Sequence, residues 1–298
     1  MALGPLLALL GSFFFALNNL ASRRAVLRVK DTSAGAAVSV FISLPVLFLA
    51  LVVTGNVGDI FRFPWHGYLW LLGAGIIHQY TGRSLNFISV KLVGANISGV
   101  LRRSSPLVAV GLGVFVLGEV LTGKALAGIL LIVAGVVLVG WNPWQTGKSK
   151  TSFGNMSLKG ILTGVGAGVC YGISPMMIKM AYSGFSSPIA AAFISFVGAA
   201  AVYAFLHARG DKRELLVTMD SRTFWWFTIA GLLVVFAQLA RFFALSMAPI
   251  SVISPLFDVN PIMIVGLSYV FNRKLEVFSK SVIFSTVIVV AGSFLLLS

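Results

Sequence analysis

Charged residues are scarce in this sequence. They make up 10% of its 298 residues, whereas a soluble domain carries about 25%. Hydrophobic residues make up 58%, and the mean hydropathy is +0.98. These values exclude a soluble globular enzyme and a disordered protein, because neither tolerates so much apolar sequence. Alternating strands of about ten residues are also absent, so the sequence predicts an all-α membrane protein.

Cysteine is nearly absent. Cys170 stands alone inside an apolar segment, which excludes a disulfide scaffold and a cysteine metal site. The three histidines, His66, His78 and His207, are scattered without the spacing of a zinc site. Gly-Lys-Ser at 147–149 lacks the upstream glycine of a phosphate-binding loop, and the sequence contains no acidic pair. We therefore expect no metal, no cofactor and no catalytic residues.

Long apolar runs are abundant, and their lengths suit spanning helices of about 20 residues. The longest connection, 142–158, divides the chain nearly in half. The expected organisation is a first five-helix unit over 1–141, a linker over 142–158 and a second five-helix unit over 159–298. The ten predicted spans are 3–22, 33–54, 67–87, 93–117, 124–141, 159–181, 187–207, 222–246, 250–271 and 278–297.

The two halves repeat each other in order. Pro-Leu-Val-Ala-Val-Gly-Leu begins at Pro106, Pro-Ile-Met-Ile-Val-Gly-Leu begins at Pro261, and Glu119 matches Glu276 further along. Since each half has an odd number of spans, the second half enters the membrane from the opposite side. The sequence therefore predicts two inverted five-helix repeats, a plan typical of secondary transporters that work by alternating access. Ala-Gly pairs also recur, at 74–75 and 230–231, and at 134–135 and 291–292.

The segment 106–140 carries a family signature. It consists of a proline, an apolar stretch, Leu-Gly-Glu-x-Leu-Thr and a glycine-rich final helix. This pattern resembles the EamA-type domain of the drug/metabolite transporter superfamily. The second copy, 261–297, departs from it, because Asn-Arg-Lys-Leu-Glu stands at 272–276. Two copies cover nearly the whole chain, which is most similar to the bacterial amino-acid exporters of the YddG type.

The resemblance implies a function. It implies a monomeric exporter of small metabolites, chiefly amino acids of broad range including aromatic ones, in the bacterial inner membrane. An exporter of drugs or other organic anions is an alternative, and so, from another class, is a membrane-embedded enzyme. Run 3–22 has no acid, whereas small proton-coupled relatives carry a glutamate there. We therefore expect transport without strict proton coupling.

Polar residues inside spans are costly and are candidates for function. Gln79 and Arg83 share one helical face, and Gln238 and Arg241 share another. Guanidinium groups suit a carboxylate, although hydrogen bonds between helices also explain polar residues in membranes. His78 is also interpretable as a packed polar residue. The predicted substrate-binding residues are Asn18, His78, Gln79, Tyr80, Arg83, Tyr171, Ser174, Gln238 and Arg241.

Two further charges lie at matching positions of the halves. Since Pro106 pairs with Pro261, Arg103 pairs with Asp258. An unpaired charge at mid-membrane costs about 2.5–3.5 kcal/mol on insertion scales, so an acid and a base at similar depth are expected to pair. Two interpretations stay open for this pair, a gate that opens during transport and a static ion pair.

The net charge of +14 comes from 22 Lys and Arg against 8 Asp and Glu. The basic residues lie mostly in short loops, which indicates membrane topology and lipid contact, not nucleic-acid binding. Two basic residues, Arg62 and Lys124, lie after even-numbered spans, whereas fifteen lie after odd-numbered spans. The positive-inside rule therefore places the loops after odd-numbered spans in the cytoplasm and both termini in the periplasm. The superfamily resemblance favours the opposite orientation. The fifteen after odd-numbered spans are Arg23, Arg24, Arg28, Lys30, Lys91, Lys148, Lys150, Lys159, Arg209, Lys212, Arg213, Arg222, Arg273, Lys274 and Lys280.

Overall fold

All regular elements that the structure describes are helices, as the hydropathy predicts. The computed structural model describes residues 3–105, 107–108, 111–112, 123–140, 157–207, 219–247, 256–257, 259–276 and 278–296. The helices are α1 Leu3–Val26, α2 Thr32–Val53, α3 Trp65–Gly75, α4 Arg83–Val93, α5 Ala95–Leu101, α6 Gly123–Gly140, α7 Leu158–Ala181, α8 Pro188–His207, α9 Ser221–Met247, α10 Asn260–Phe271 and α11 Lys280–Leu296.

Five of these helices are long and apolar enough to cross a membrane. They are α1, α2, α7, α8 and α9, and their bounds agree with the predicted spans to within a few residues. Shorter apolar helices lie within α6, α10 and α11. The membrane class and the helical fold are therefore confirmed, whereas the number of ten crossings stays a prediction.

The third predicted span is one continuous helix with a change of register. It runs from α3 through a π-helix, Ile76–Gly82, into α4 and ends at Val93, six residues beyond the predicted end. Gly94 then adopts a φ of +90°, a conformation that favours glycine. The chain thus turns sharply between α4 and α5, and a 3-10 helix, Arg102–Ser104, follows α5.

Helix packing repeats between the halves. A Cβ atom on Gly75 of α3 would meet the Ser195 carbonyl of α8, and one on Gly231 of α9 would lie 2.8 Å from the Ser39 carbonyl of α2. Both the glycines and the serines are separated by 156 positions. The same close contact is therefore made twice, once by each half against the other, which explains why the Ala-Gly pairs recur in the sequence.

The last helices of the two halves pack in the same reciprocal way. A Cβ on Gly135 of α6 would lie 3.1 Å from the Ser285 carbonyl, and one on Gly292 of α11 would lie 2.9 Å from the Gly128 carbonyl. Glycine permits this approach because it brings no side chain between the helix backbones.

A run of glycines on α7 forms a third close-packed face. Gly164 lies against Leu101 of α5, and a Cβ on Gly168 would clash with Ser104 and lie 2.8 Å from the Arg102 carbonyl. Gly172 meets the Ser105 carbonyl. The glycines recur every fourth residue, at 160, 164, 168 and 172, and this spacing places them on the face of α7 that packs closely against the preceding elements. They also hold the 3-10 helix Arg102–Ser104, which carries Arg102 and Arg103, against α7.

Candidate functional site

Polar side chains from several helices converge where the π-helix faces α9. Arg241 Nη1 of α9 lies 3.2 Å from His78 Nδ1 and 3.3 Å from His78 Nε2. Because a guanidinium has only donors, this contact needs an imidazole nitrogen that accepts. The ring of His78 in turn lies 4.4 Å, between centroids, from the ring of Tyr171 on α7. Two predicted substrate residues therefore meet in the interior with a third beside them.

Arg83 is anchored beside this contact. It donates from Nη2 to Gln79 Oε1 at 2.8 Å and from Nη1 to Ser39 Oγ of α2 at 3.0 Å. Its Nε is buried and has no hydrogen-bond partner among the described residues. The predicted pairing of Gln79 and Arg83 on one helical face is thus present as a hydrogen bond, and Ser39 is a partner that the sequence did not suggest.

Arg102 also lies close to Tyr171. Its Cζ lies 5.9 Å from the centroid of the Tyr171 ring, and its Nη2 donates to Asn19 Oδ1 of α1 at 3.2 Å. Asn19 is fixed by its own donation to the Phe15 carbonyl at 2.7 Å. The short 3-10 helix after α5 thus delivers a guanidinium to the same interior region as His78.

The resulting cluster is strongly basic. Arg83, Arg102 and Arg241 are each at most 8% exposed, and all three act electrostatically on His78 and Tyr171. We call these five residues the basic cluster. Every acid that the structure describes lies outside the long membrane-spanning helices: Asp31, Asp59, Asp220 and Glu276. Within the cluster, Arg83 and Arg102 donate to the neutral acceptors Ser39, Gln79 and Asn19.

The π-helix brings His78 and Gln79 into this position. A π-helix widens the hydrogen-bond register from four to five residues, and such turns often occur at functional sites. Here the Tyr203 hydroxyl of α8 lies 2.8 Å from Ser84 Oγ and donates to the Tyr80 carbonyl at 3.3 Å. Tyr203 is a positioning residue that sequence reasoning missed, although a tyrosine inside an apolar run is a signal that the sequence offers.

Other predicted site residues lie apart from the basic cluster or near its edge. Asn18 donates to the Ala230 carbonyl of α9 at 2.6 Å, so it joins two helices. Tyr80 packs edge-on against Tyr203 at 4.8 Å between centroids. Ser174 is buried in α7. Gln238 lies one turn before Arg241, and its Nε2 is buried without a hydrogen-bond partner among the described residues.

The proposed inter-repeat pair lies partly beyond what the structure describes. Arg103 is 7% exposed and lies in the 3-10 helix beside Arg102. Asp258 lies outside the described residues. The pairing of Arg103 with Asp258 therefore stays a prediction. Elsewhere in the described part of the chain, no group of three His, Cys, Asp or Glu residues could hold a metal ion.

An ion pair near the ends of the spans was also missed. Glu276, in the turn before α11, pairs with Arg23 of α1 at 3.0 Å. Burial raises the pKa of Glu276, whereas Arg23 and two backbone N–H groups oppose that shift by stabilising the charged form. In the sequence Glu276 stands out only as a marker of the repeat, because its partners are distant along the chain.

Comparisons with known proteins agree with this two-part fold. The sequence profile of the EamA-like transporter family matches residues 2–141 and again residues 158–298. No curated protein matches the chain. One solved crystal structure is similar over 97% of this chain and 96% of its own, at 18% identity and a TM-score of 0.64. That likeness concerns the fold alone, and the resemblance to YddG-type exporters stays a prediction.

Proposed function

Because the chain belongs to the EamA-like transporter family, we propose that it exports metabolites that carry a carboxylate, chiefly amino acids. As a family member it is a multi-pass membrane protein, and the members of this family are transporters rather than enzymes. The finer proposal places it, as a monomer, in the bacterial inner membrane. It further assigns both termini to the periplasm, because the basic loop residues lie on the opposite side.

One observation carries the proposal, the basic cluster of His78, Arg83, Arg102, Tyr171 and Arg241. A guanidinium binds a carboxylate through two parallel hydrogen bonds. In the structure these donors contact neutral acceptors, such as Gln79 Oε1 and Asn19 Oδ1. A substrate carboxylate would replace such neutral acceptors with a charged one, and hydrogen bonds to charged groups are roughly twice as strong. The free protein thus holds its donors ready for an anion.

The remaining groups suit the rest of an amino acid. The rings of His78 and Tyr171 offer a surface on which an aromatic substrate side chain can stack. Gln238 offers a side-chain carbonyl beside an Nε2 that has no hydrogen-bond partner among the described residues. An ammonium group needs acceptors of this kind, because it has only donors.

The excess of arginine favours a second candidate class. Three buried guanidiniums exceed the needs of one α-carboxylate. Organic anions with two or more negative groups would neutralise them more completely. In this second reading the chain transports such anions, and neutral amino acids bind less tightly.

We further propose that transport proceeds by alternating access without strict proton coupling. The reciprocal contacts of Gly75 with Ser195 and of Gly231 with Ser39 support two similar halves that exchange conformations. The described spanning helices contain no acid that could carry a proton. Substrate-driven acidification or alkalinisation inside sealed vesicles would contradict this part of the proposal.

Counterflow into proteoliposomes tests the substrate class. We expect preloaded phenylalanine or alanine to drive uptake of the labelled amino acid, and Arg83→Gln to lose most of this uptake. Arg62→Gln is the matched control, because Arg62 is exposed and pairs with Asp59 at 3.4 Å. Uptake of dicarboxylates with no response to amino acids would favour the second candidate. No counterflow with either class would contradict both.

A further inference from the structure

A cavity of about 670 Å³ opens where the end of α1 meets the start of α9. Three arginine side chains and one tryptophan side chain line it. It shares no lining residue with the basic cluster. The residues that line it are Arg24, Leu27, Arg28, Arg222, Trp226 and Leu275. We call this the Arg24–Trp226 pocket.

Arg24 is held in a fixed orientation at the base of this pocket. It donates from Nε to Asn272 Oδ1 at 2.7 Å and from Nη2 to the Phe271 carbonyl at 2.5 Å. Its Cζ lies 4.8 Å from the centroid of the Trp226 ring. All these partners are neutral, so they position the guanidinium without cancelling its charge. A positive charge is therefore built into the wall, already ordered before any ligand binds.

Two more guanidiniums stand at the mouth of the pocket, on Arg28 and Arg222, and both side chains are exposed. Asp220 is the nearby acid: its carboxylate accepts from the Thr223 N–H at 3.2 Å and acts electrostatically on Arg28. Among the described residues, no carboxylate lies within ion-pair distance of the three arginines. Three positive charges against one negative charge favour an anionic ligand.

The surroundings of the pocket are apolar on the lipid-facing side. Leu27 is 45% exposed, Trp225 is 61% exposed and Leu275 is 38% exposed. Such residues at the ends of spanning helices lie at the level of the lipid headgroups, where tryptophan is enriched. A ligand that joins an anionic head to apolar chains satisfies both surfaces at once. A free inorganic anion would leave the apolar walls in contact with water.

We propose that the Arg24–Trp226 pocket binds the phosphate headgroup of an anionic phospholipid. The phosphodiester lies between Arg28 and Arg222 with Arg24 behind it, and the acyl chains descend along Leu27 and Trp225. Guanidinium groups recognise phosphate oxygens through paired hydrogen bonds. The occupant is a lipid of the surrounding membrane and differs from the transported substrate.

Native mass spectrometry of the full chain, released from detergent, tests this proposal. The probes are phosphatidylglycerol, phosphatidylcholine and inorganic phosphate. The variant Arg28→Gln with Arg222→Gln removes the two exposed charges of the pocket, which make no ion pair among the described residues. The matched control, Lys30→Gln with Lys274→Gln, removes two exposed charges outside the pocket from loops that both follow odd-numbered spans.

We expect the wild-type chain to retain phosphatidylglycerol in preference to phosphatidylcholine, and millimolar phosphate not to displace it. Each arginine near an anionic surface contributes about a fivefold gain in binding, so the pocket variant should bind about twenty-five-fold more weakly. The control variant should change less than about twofold. Equal losses of lipid binding in both variants would show that general surface charge, and not this pocket, binds the lipid. Displacement by phosphate would make the pocket a site for a free anion, and both outcomes overturn the proposal.

Discussion

Glu276 joins the two halves of the protein through one carboxylate. Its Oε1 lies 3.0 Å from Arg23 Nε, and it accepts hydrogen bonds from the N–H groups of Ala95 and Asn96 at 3.0 and 3.1 Å. These N–H groups belong to the first turn of α5, where backbone N–H groups have no acceptor within the helix and a negative charge is stabilising. Arg23 also donates to the Val90 carbonyl at the end of α4. One residue of the second half thus fastens the sharp turn between α4 and α5.

Replacing this carboxylate should destabilise the fold. The side chain of Glu276 is 1% exposed and that of Arg23 is 13% exposed, so Glu276→Ala leaves a largely buried guanidinium without its carboxylate and two N–H groups without their acceptor. Removal of one member of a buried ion pair costs about 3–5 kcal/mol. We expect a matching loss in the free energy of unfolding, measured by thermal or denaturant unfolding in detergent.

The exposed pair Asp59–Arg62 provides the control for Glu276. Its two side chains are 18% and 68% exposed, and exposed ion pairs contribute about 0–1 kcal/mol. Asp59→Ala should therefore change stability by less than about 1 kcal/mol. Equal effects of Asp59→Ala and Glu276→Ala would show that the Glu276 contacts contribute no special stability.

Gly168 is a second position where a small change should have a large effect. Any Cβ there would clash with Ser104 Oγ and lie 2.8 Å from the Arg102 carbonyl. Overpacking of this kind costs about 1–3 kcal/mol. Gly168→Ala should therefore lower the melting temperature and weaken transport, because it displaces the segment that carries Arg102.

Gly266 of α10 is the matched control for Gly168. A Cβ on Gly266 would meet no atom within 4 Å, and alanine is the better helix former by about 1 kcal/mol. Gly266→Ala should therefore keep or raise the melting temperature. A melting temperature that falls equally in the two variants would contradict the packing argument.

The sequence predicted those parts of the fold that depend on local patterns. Helix bounds such as Thr32–Val53 follow from apolar runs, and the matching contacts of Gly75 and Gly231 fall on one of the recurring Ala-Gly pairs. The π-helix Ile76–Gly82 was not predictable in this way. Its register depends on packing against α8, which places Tyr203 beside the Tyr80 carbonyl.

The basic cluster was only partly predictable for a similar reason. Polarity within apolar runs identified His78 and Arg241, but not that they touch, since they are 163 positions apart. The same criterion selected Asn18, which bonds a neighbouring helix backbone. A polar residue inside an apolar run shows only that burying it is costly. Whether a ligand or a neighbouring helix offsets that cost depends on the direction of the side chain.

The orientation in the membrane is predicted from loop charge. Fifteen Lys and Arg residues follow odd-numbered spans and two follow even-numbered spans, so we expect both termini in the periplasm. A reporter fused to the C-terminus that is active only in the periplasm should therefore be active. The same reporter in the loop around Arg62 is the control, because that loop lies on the side of the termini. Activity of a cytoplasm-specific reporter at the C-terminus would contradict the prediction.

The pair Arg103 and Asp258 is predicted to bridge the repeats. Arg103→Ala and Asp258→Ala should each impair folding or transport, because each leaves one charge buried alone. A double change to neutral residues should restore folding, which size-exclusion chromatography measures. Under the gate interpretation the double variant folds but transports abnormally. A normal rate in proteoliposomes would leave only the static ion pair.

Arg241 contacts His78 in the basic cluster, and its replacement should weaken substrate binding. Arg241 is 8% exposed, and its Nη1 lies 3.2 Å from His78 Nδ1. Glutamine keeps an N–H group that can donate to His78, so the Arg241→Gln variant should fold. A hydrogen bond to a charged group contributes about 1.5–3 kcal/mol, so the KM for a carboxylate substrate should rise about tenfold or more, whereas the maximal rate changes less. Arg62→Gln should leave both values unchanged. An unaltered KM in Arg241→Gln would show that Arg241 does not bind the substrate and only positions the His78 ring.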